Sequence, residues 1–275
     1  MISVTSADPV AYRINGERLV VLGWSRAILL QLAHPLIAAG VFDHSGFRSS
    51  PFAAIERLHH TTRAMLAITF GDPPRRDAAI EGIRRIHTRV NGTLPEAAGP
   101  FAAGTSYSAE DPALLLWVHA TLIESMVVTY EHLVGPLTPA DLDAYCEQSA
   151  PSSIALGVRP GEIPMTWTTL QDYLQRTYAS GVIVVSSQAR ELAVALLRAP
   201  VLRVLSPVGA LTSLLARGLL PAPIRAGYGL SWNERDARRF SRVTRATRVA
   251  RILTPGLLSR FGMARRARTP LPSAQ

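Results

Sequence analysis

Residues 111–134 read DPALLLWVHATLIESMVVTYEHLV, and the fold follows from how that stretch begins, runs and ends. Asp111 is suited to cap a helix and Pro112 to occupy its first turn, where a missing N–H costs nothing. The interior is apolar at helical spacing, and Gly135-Pro136 stops it. A long helix set deep in a core is the reading.

Working toward the N-terminus, residues 93–108 are rich in Gly, Pro and Ala and read as loop. Arg76–Val90 reads as an amphipathic helix closed by Asn91-Gly92, a pair suited to a left-handed cap. Gly71-Asp72-Pro73-Pro74 is a breaker, and residues 51–70 before it carry helical periodicity. Asp43–Pro51 (DHSGFRSSP) reads as a turn-rich loop. From Glu17 to Ala39 the apolar spacing is again helical, and Pro35 predicts a kink within it.

Toward the C-terminus, Thr138-Pro139-Ala140-Asp141 predicts a helix over Pro139–Ala150. GVRPGEIP (157–164) is loop, and Thr168 and Thr169 introduce a helix through Tyr178. Two apolar helical stretches follow, separated by Pro200 and Pro207, then a connection over 220–229 and an Arg-rich helix from Asn233 to Leu253. VIVVSS (182–187) is the β-branched run with strand character. The expected fold is all-α, a single multi-helix domain over 17–253, with an N-terminal arm at 1–16 and an Arg-rich flexible tail at 254–275.

Composition narrows the chemistry. The chain has 275 residues, 48% apolar, with a formal charge of +9. It contains no lysine, so all 29 cationic residues are arginine, and Schiff-base and P-loop-lysine mechanisms are excluded. One cysteine, Cys146, excludes an internal disulfide and Cys-rich metal sites and agrees with a reducing cytosol. The first residues lack the order of a secretory signal, so a cytoplasmic location is expected. The apolar runs at 19–42 and 182–220 are interrupted by Arg26 and by Arg190, Arg198, Arg203 and Arg217, which favours buried or interfacial helices over membrane spans.

All seven histidines precede Gly135, and none forms a zinc signature. A single neutral imidazole on a helix with apolar walls is enough for haem. Arg57, His60 and Thr61 share one helix face, with Met65 and Leu66 nearby. His87 ends its helix, and His119 lies inside LWVHATL. Each also fits a plain structural role: Arg57 paired with Glu56, His87 as a helix-end cation, His119 as a hydrogen-bonded core residue. His34, just before Pro35, looks buried, its ring placed to bond a backbone carbonyl in the kink.

Four segments in order, AHPLIAAGVFDHSGF (33–47), RLHHTTRAMLAITFG (57–71), IHTRVNG (86–92) and YSAEDPALLLWVHATLIES (107–125), make the chain resemble the catalytic domain of the mpaB-type and rubber oxygenases. The resemblance covers about 34–173. It implies an all-α domain enclosing a pocket for haem b, and an oxygenase that uses dioxygen on a lipophilic small molecule of unsaturated or terpenoid-like kind. Carried over by motif, Arg57 and Thr61 match an Arg-x-x-x-Thr element beside the haem. His87 becomes the axial iron ligand, His119 the reserve cofactor-binding residue, and His60 stands near the distal lysine of the rubber enzymes, which this chain lacks. Met65, Leu66 and Trp117 would wall the pocket, with Asp43 or Glu56 as base. Without that lysine or an export signal, rubber is not the expected substrate.

Two alternatives accompany this reading. One is a non-enzymatic haem or lipophile carrier. The other is a helical protein at a membrane surface, using the row Arg235, Arg238, Arg239, Arg242, Arg245, Arg248 and Arg251. That row lacks aromatic interleaving or a DNA-binding motif, so nucleic acid is not an expected partner.

Overall fold

The computed structural model describes residues 9–44, 53–197, 206–262 and 264, with the side chains of 53–59, 206–208 and 257 outside that description. The chain is all-α apart from one short hairpin. Its central element, α6 (Pro112–Leu133), is capped as its sequence requires: Asp111 accepts the Ala113 N–H at 2.9 Å. α6 is long and apolar enough to cross a membrane, yet 72% of its apolar window is buried inside the fold. Its side chains are therefore occupied by neighbouring helices rather than open to lipid.

Those neighbours are set by the N-terminal third. α1 (Val10–Asn15) leads into a 3₁₀ turn at Arg18–Gly23 and then α2 (Trp24–Leu32) and α3 (Pro35–His44). The kink expected at Pro35 is a full break, with the 18–32 segment and α3 at 109°. Proline has no N–H to continue the ladder and its ring crowds the carbonyl four residues back, so a new helix starts there. His34 bridges the break through its backbone, donating to the Gln31 carbonyl and accepting from the Ala38 N–H.

Gly23 lies where the 3₁₀ turn meets α6. A β-carbon there would stand 2.8 Å from Thr129 Cβ and closer still to its hydroxyl. Gly23→Ala is expected to cost about 2–3 kcal/mol by overpacking. Adding Thr129→Ala should recover part of that loss in a urea melt, since the nearest clash is removed; strict additivity would show that the two residues do not touch.

α4 (Ala53–Phe70) and α5 (Pro73–His87) form a helical hairpin joined by Gly71-Asp72. The breaker is also a start signal: Asp72 accepts the Arg75 N–H at 3.0 Å and Pro73-Pro74 fill the first turn, so α5 begins three residues earlier than expected. Asn91-Gly92 is not a left-handed cap. It opens β1 (Asn91–Thr93), paired antiparallel with β2 (Ser106–Ser108) inside the expected loop. α7 (Pro139–Leu156) starts in the capping box of Thr138 and Asp141 and continues through Pro151, beyond the expected end at Ala150. α8 (Trp167–Ala179), α9 (Ser187–Leu197), α10 (Ser206–Leu219), α11 (Ala222–Gly227), α12 (Glu234–Leu253) and α13 (Gly256–Ser259) complete the order. VIVVSS forms no strand: residues 182–186 carry no regular structure and Ser187 opens α9.

The core lies on both sides of α2. Ile14, Trp24, Trp117, Val127, Tyr145 and Leu170 fill one cluster around α6. Leu29, Leu30, Leu192, Ala216 and Tyr228 fill another against α9, α10 and α11. The expected N-terminal arm and flexible tail are in part structural. Ile14 is fully buried, and Glu17, 1% exposed, accepts Arg251 through both oxygens (2.9 and 2.6 Å) and faces Arg260 at 3.4 Å. The Phe261 N–H donates to the Gly16 carbonyl, which ties the two chain ends together. Residues 265–275 lie outside the described residues.

Candidate functional site

The α4–α5 hairpin carries three of the sequence candidates on described side chains. His60 and Thr61 are exposed on α4, and His87, half-buried, is the last residue of α5. Counted from the Gly71-Asp72 turn at about 1.5 Å per residue, Arg57 and His87 lie at nearly the same height on their two helices, with Thr61 one turn closer to the connection. The two helices pack on each other. The side chains of Arg57 and Glu56 lie outside the described residues.

The end of α5 is fixed from the other side by α3 and the hairpin. Gly40 approaches so closely that a β-carbon would sit 3.3 Å from Val90 and 3.4 Å from the Tyr107 ring. His44 Nε2 meets the Asn91 carbonyl at 3.0 Å, and the Val90 N–H donates to the His87 carbonyl. The Tyr107 hydroxyl donates to Asp43 Oδ2 at 2.6 Å. Burial, together with that carboxylate, pushes the Tyr107 pKa up, so the phenol stays protonated. Asp43, one of the two candidate bases, is thus already an acceptor. Three of the four sequence segments meet at this end of α5.

Two other histidines are held neutral by burial, each with its pKa lowered to about 4. His119 is 6% exposed in α6, and its Nδ1 shares a 2.5 Å hydrogen bond with the Ser153 hydroxyl of α7. His34 is 7% exposed and stacks obliquely on Phe101, ring centres 5.4 Å apart. Its Nδ1 has no hydrogen-bond partner among the described residues, so the expected bond to a carbonyl in the kink is not made. A neutral imidazole with an open nitrogen in an apolar site is an unfilled acceptor or donor, and the spacing around Pro35 gave no sign of it.

A small apolar cleft of about 20 Å³, room for little more than a water molecule, runs along α4 between Met65, Leu66, Thr69, Trp24, Met126 and Phe261. Met65 and Leu66 line this cleft, which includes neither Thr61 nor His87. Trp117 does not line it: it is 1% exposed, its indole N–H donates to the Leu30 carbonyl at 3.2 Å, and its ring packs edge-on against Tyr178. The role of the cleft was hidden in the sequence because half of its lining comes from residues 15–24 and from Phe261.

Among the described residues no three His, Cys, Asp or Glu side chains gather as a metal-ligand set. Cys146 is 1% exposed with its thiol pushed up to about 12 by burial, which suits neither a nucleophile nor a thiolate ligand. Haem b, unlike a bare ion, asks the protein for one imidazole rather than three or four ligands.

Residues 12–249 match the family described as ER-bound oxygenase mpaB/B'/Rubber oxygenase, catalytic domain, a span wider than the 34–173 carried by the four segments. The chain is also similar to the uncharacterized proteins Mb2261 of Mycobacterium bovis and Rv2237 of Mycobacterium tuberculosis. Each is 28% identical over 234 residues, covering 83% of this chain and 87% of the relative. No solved structure matches the chain.

Proposed function

We propose, because this chain belongs to the mpaB/rubber oxygenase catalytic-domain family, that it is a haem b-dependent oxygenase acting with dioxygen on a lipophilic, unsaturated or terpenoid-like small molecule. The observation that supports the reading is that Arg57 on α4 and His87 on α5 lie at similar distances along the chain from the turn joining these two helices, within the matched span.

His87 is the residue that would hold the iron, and Arg57 would balance a propionate or an oxygen-borne charge. Bound haem supplies the iron at which dioxygen is activated. Thr61 offers a hydroxyl that can donate or accept one turn from Arg57. His60 stands near the place where the rubber enzymes have lysine. Met65 and Leu66 keep water from the α4 surface and suit an apolar substrate. Asp43 holds the Tyr107 hydroxyl, so a catalytic base at that position would have to exchange this phenol for substrate.

The test is a visible spectrum of the full chain expressed with haem supply. A Soret band and a b-type pyridine haemochrome are expected. His87→Ala should remove the band or shift it strongly, while exposed His132→Ala leaves it unchanged. A chain that binds no haem overturns the proposal. Haem retained in His87→Ala but lost in His119→Ala or His34→Ala reassigns the ligand. Oxygen uptake with terpenoid and unsaturated lipid substrates separates an oxygenase from a carrier.

A further inference from the structure

The surface around the end of α12 is unlike the rest of the molecule. Val249, Ile252, Leu253 and Leu258 are 54%, 74%, 78% and 62% exposed, and they fall within ten residues, whereas the other large exposed apolar side chains among the described residues are scattered. Isolated exposed aliphatics need no explanation, but a cluster does.

The same helix explains what that cluster would meet. At 100° per residue, Arg238, Arg242, Arg245, Val249, Ile252 and Leu253 fall within an arc of about 100°. The opposite side of α12 is committed inward, with Phe240 and Val243 packed on Leu133, Leu215 and Leu219 and Thr244 buried. Along the outer arc Glu234 pairs with Arg238 at 3.1 Å, Arg242 and Arg245 follow, and the aliphatics come last. Arg242 and Arg245 stand about 15 and 10 Å from Ile252 along the helix axis. That separation suits an aliphatic tip in the acyl boundary and guanidinium groups at headgroup depth.

We propose that the outer face of α12 with Leu258 docks on the surface of an anionic lipid bilayer, without spanning it. Charge chooses this occupant over the others. A second copy would bring two arginine rows together in a chain of formal charge +9, and like charges repel. The chain's own C-terminal segment adds Arg265, Arg266 and Arg268, so it would strengthen attraction to the same lipids rather than cover the face. Nucleic acid would satisfy the arginines but leave the aliphatic tip in water. The inference does not rest on the haem reading and is tested on the protein with or without cofactor.

The experiment is co-sedimentation of the full chain with vesicles of phosphatidylcholine alone and with vesicles in which about one-third of the lipid is phosphatidylserine. Binding to the second and little to the first is expected, weakening as salt rises. Arg242→Ser with Arg245→Ser should lower partitioning about 25-fold, at about fivefold per arginine near an anionic surface. Ile252→Ser with Leu253→Ser should lower it about as strongly, with the melting temperature unchanged because these side chains are exposed. Equal binding to both vesicles, or insensitivity to both pairs, overturns the proposal. So does a concentration-dependent dimer that Ile252→Ser dissolves, or retention of the protein by nucleic acid in place of vesicles.

Discussion

Glu124→Ala is expected to remove about 3–5 kcal/mol of stability, enough to leave a typical domain near its unfolding threshold. The reason is Arg26, whose side chain is 3% exposed inside the apolar run of α2. Four of its five N–H donors are engaged: Nη1 and Nη2 donate to the two carboxylate oxygens of Glu124 at 2.6 and 2.9 Å. Nη1 also reaches the Ser125 hydroxyl at 2.7 Å, and Nε the Leu219 carbonyl at 2.7 Å. One residue therefore fastens α2 to α6 and to the end of α10. Truncating Glu124 leaves a cation in a low-dielectric site without its counter-charge, and that is the costly half of a buried pair. Replacing both partners with apolar residues, Arg26→Met with Glu124→Leu, should be far milder than either truncation alone. A urea denaturation series decides it. If Glu124→Ala costs under about 1 kcal/mol, the pair is acting as an exposed one would.

The same residue shows what the sequence discloses and what it withholds. Arg26 in an apolar run argues against a span, and in the fold it is buried against Glu124, but that partner ninety-eight positions away in α6 cannot be named from spacing. Local chemistry was legible: Asp111 and Thr138 cap where their side chains require, and the Arg-rich helix opens at Asn233. What failed depended on distant contacts. Asn91-Gly92 has turn chemistry, yet it pairs with residues 106–108, and the pairing overrides the preference. Pro151 signals a helix end, but α7 carries through it. The terminal segments look like an arm and a tail until the Phe261 N–H is found on the Gly16 carbonyl, 245 residues back. For the site, the spacing of Arg57 and Thr61 is readable in one helix. The height match with His87 needs the hairpin, and the Tyr107–Asp43 bond needs β2 folded against α3.

Acid should destabilise this protein through its core, well before general carboxylate protonation. His34 and His119 take up a proton near pH 6.5 when the chain is unfolded, but in the fold burial holds both to about 4; for His34 the nearby Asp111 charge opposes that only in part. Between those values the unfolded chain binds more protons than the folded one, so stability falls as pH drops from about 6.5 to about 4. It levels below that, where both states are protonated. A gap from 6.5 to about 4 is worth about 3 kcal/mol for each imidazole, about 6 kcal/mol for the pair. Thermal or urea melts across this range measure it, and His119→Gln isolates one share. The variant should be somewhat less stable at pH 7, having changed the bond to Ser153, yet its stability should fall about 3 kcal/mol less between pH 6.5 and 4. If its pH dependence parallels that of the parent, His119 is not a buried neutral imidazole, and the Ser153 bond is not what fixes it. The outcome also bears on the proposed iron ligand. A histidine whose ring is spent on holding α6 to α7, and whose loss appears in the pH dependence of folding, is accounted for by packing, which leaves His87 as the ligand to test first.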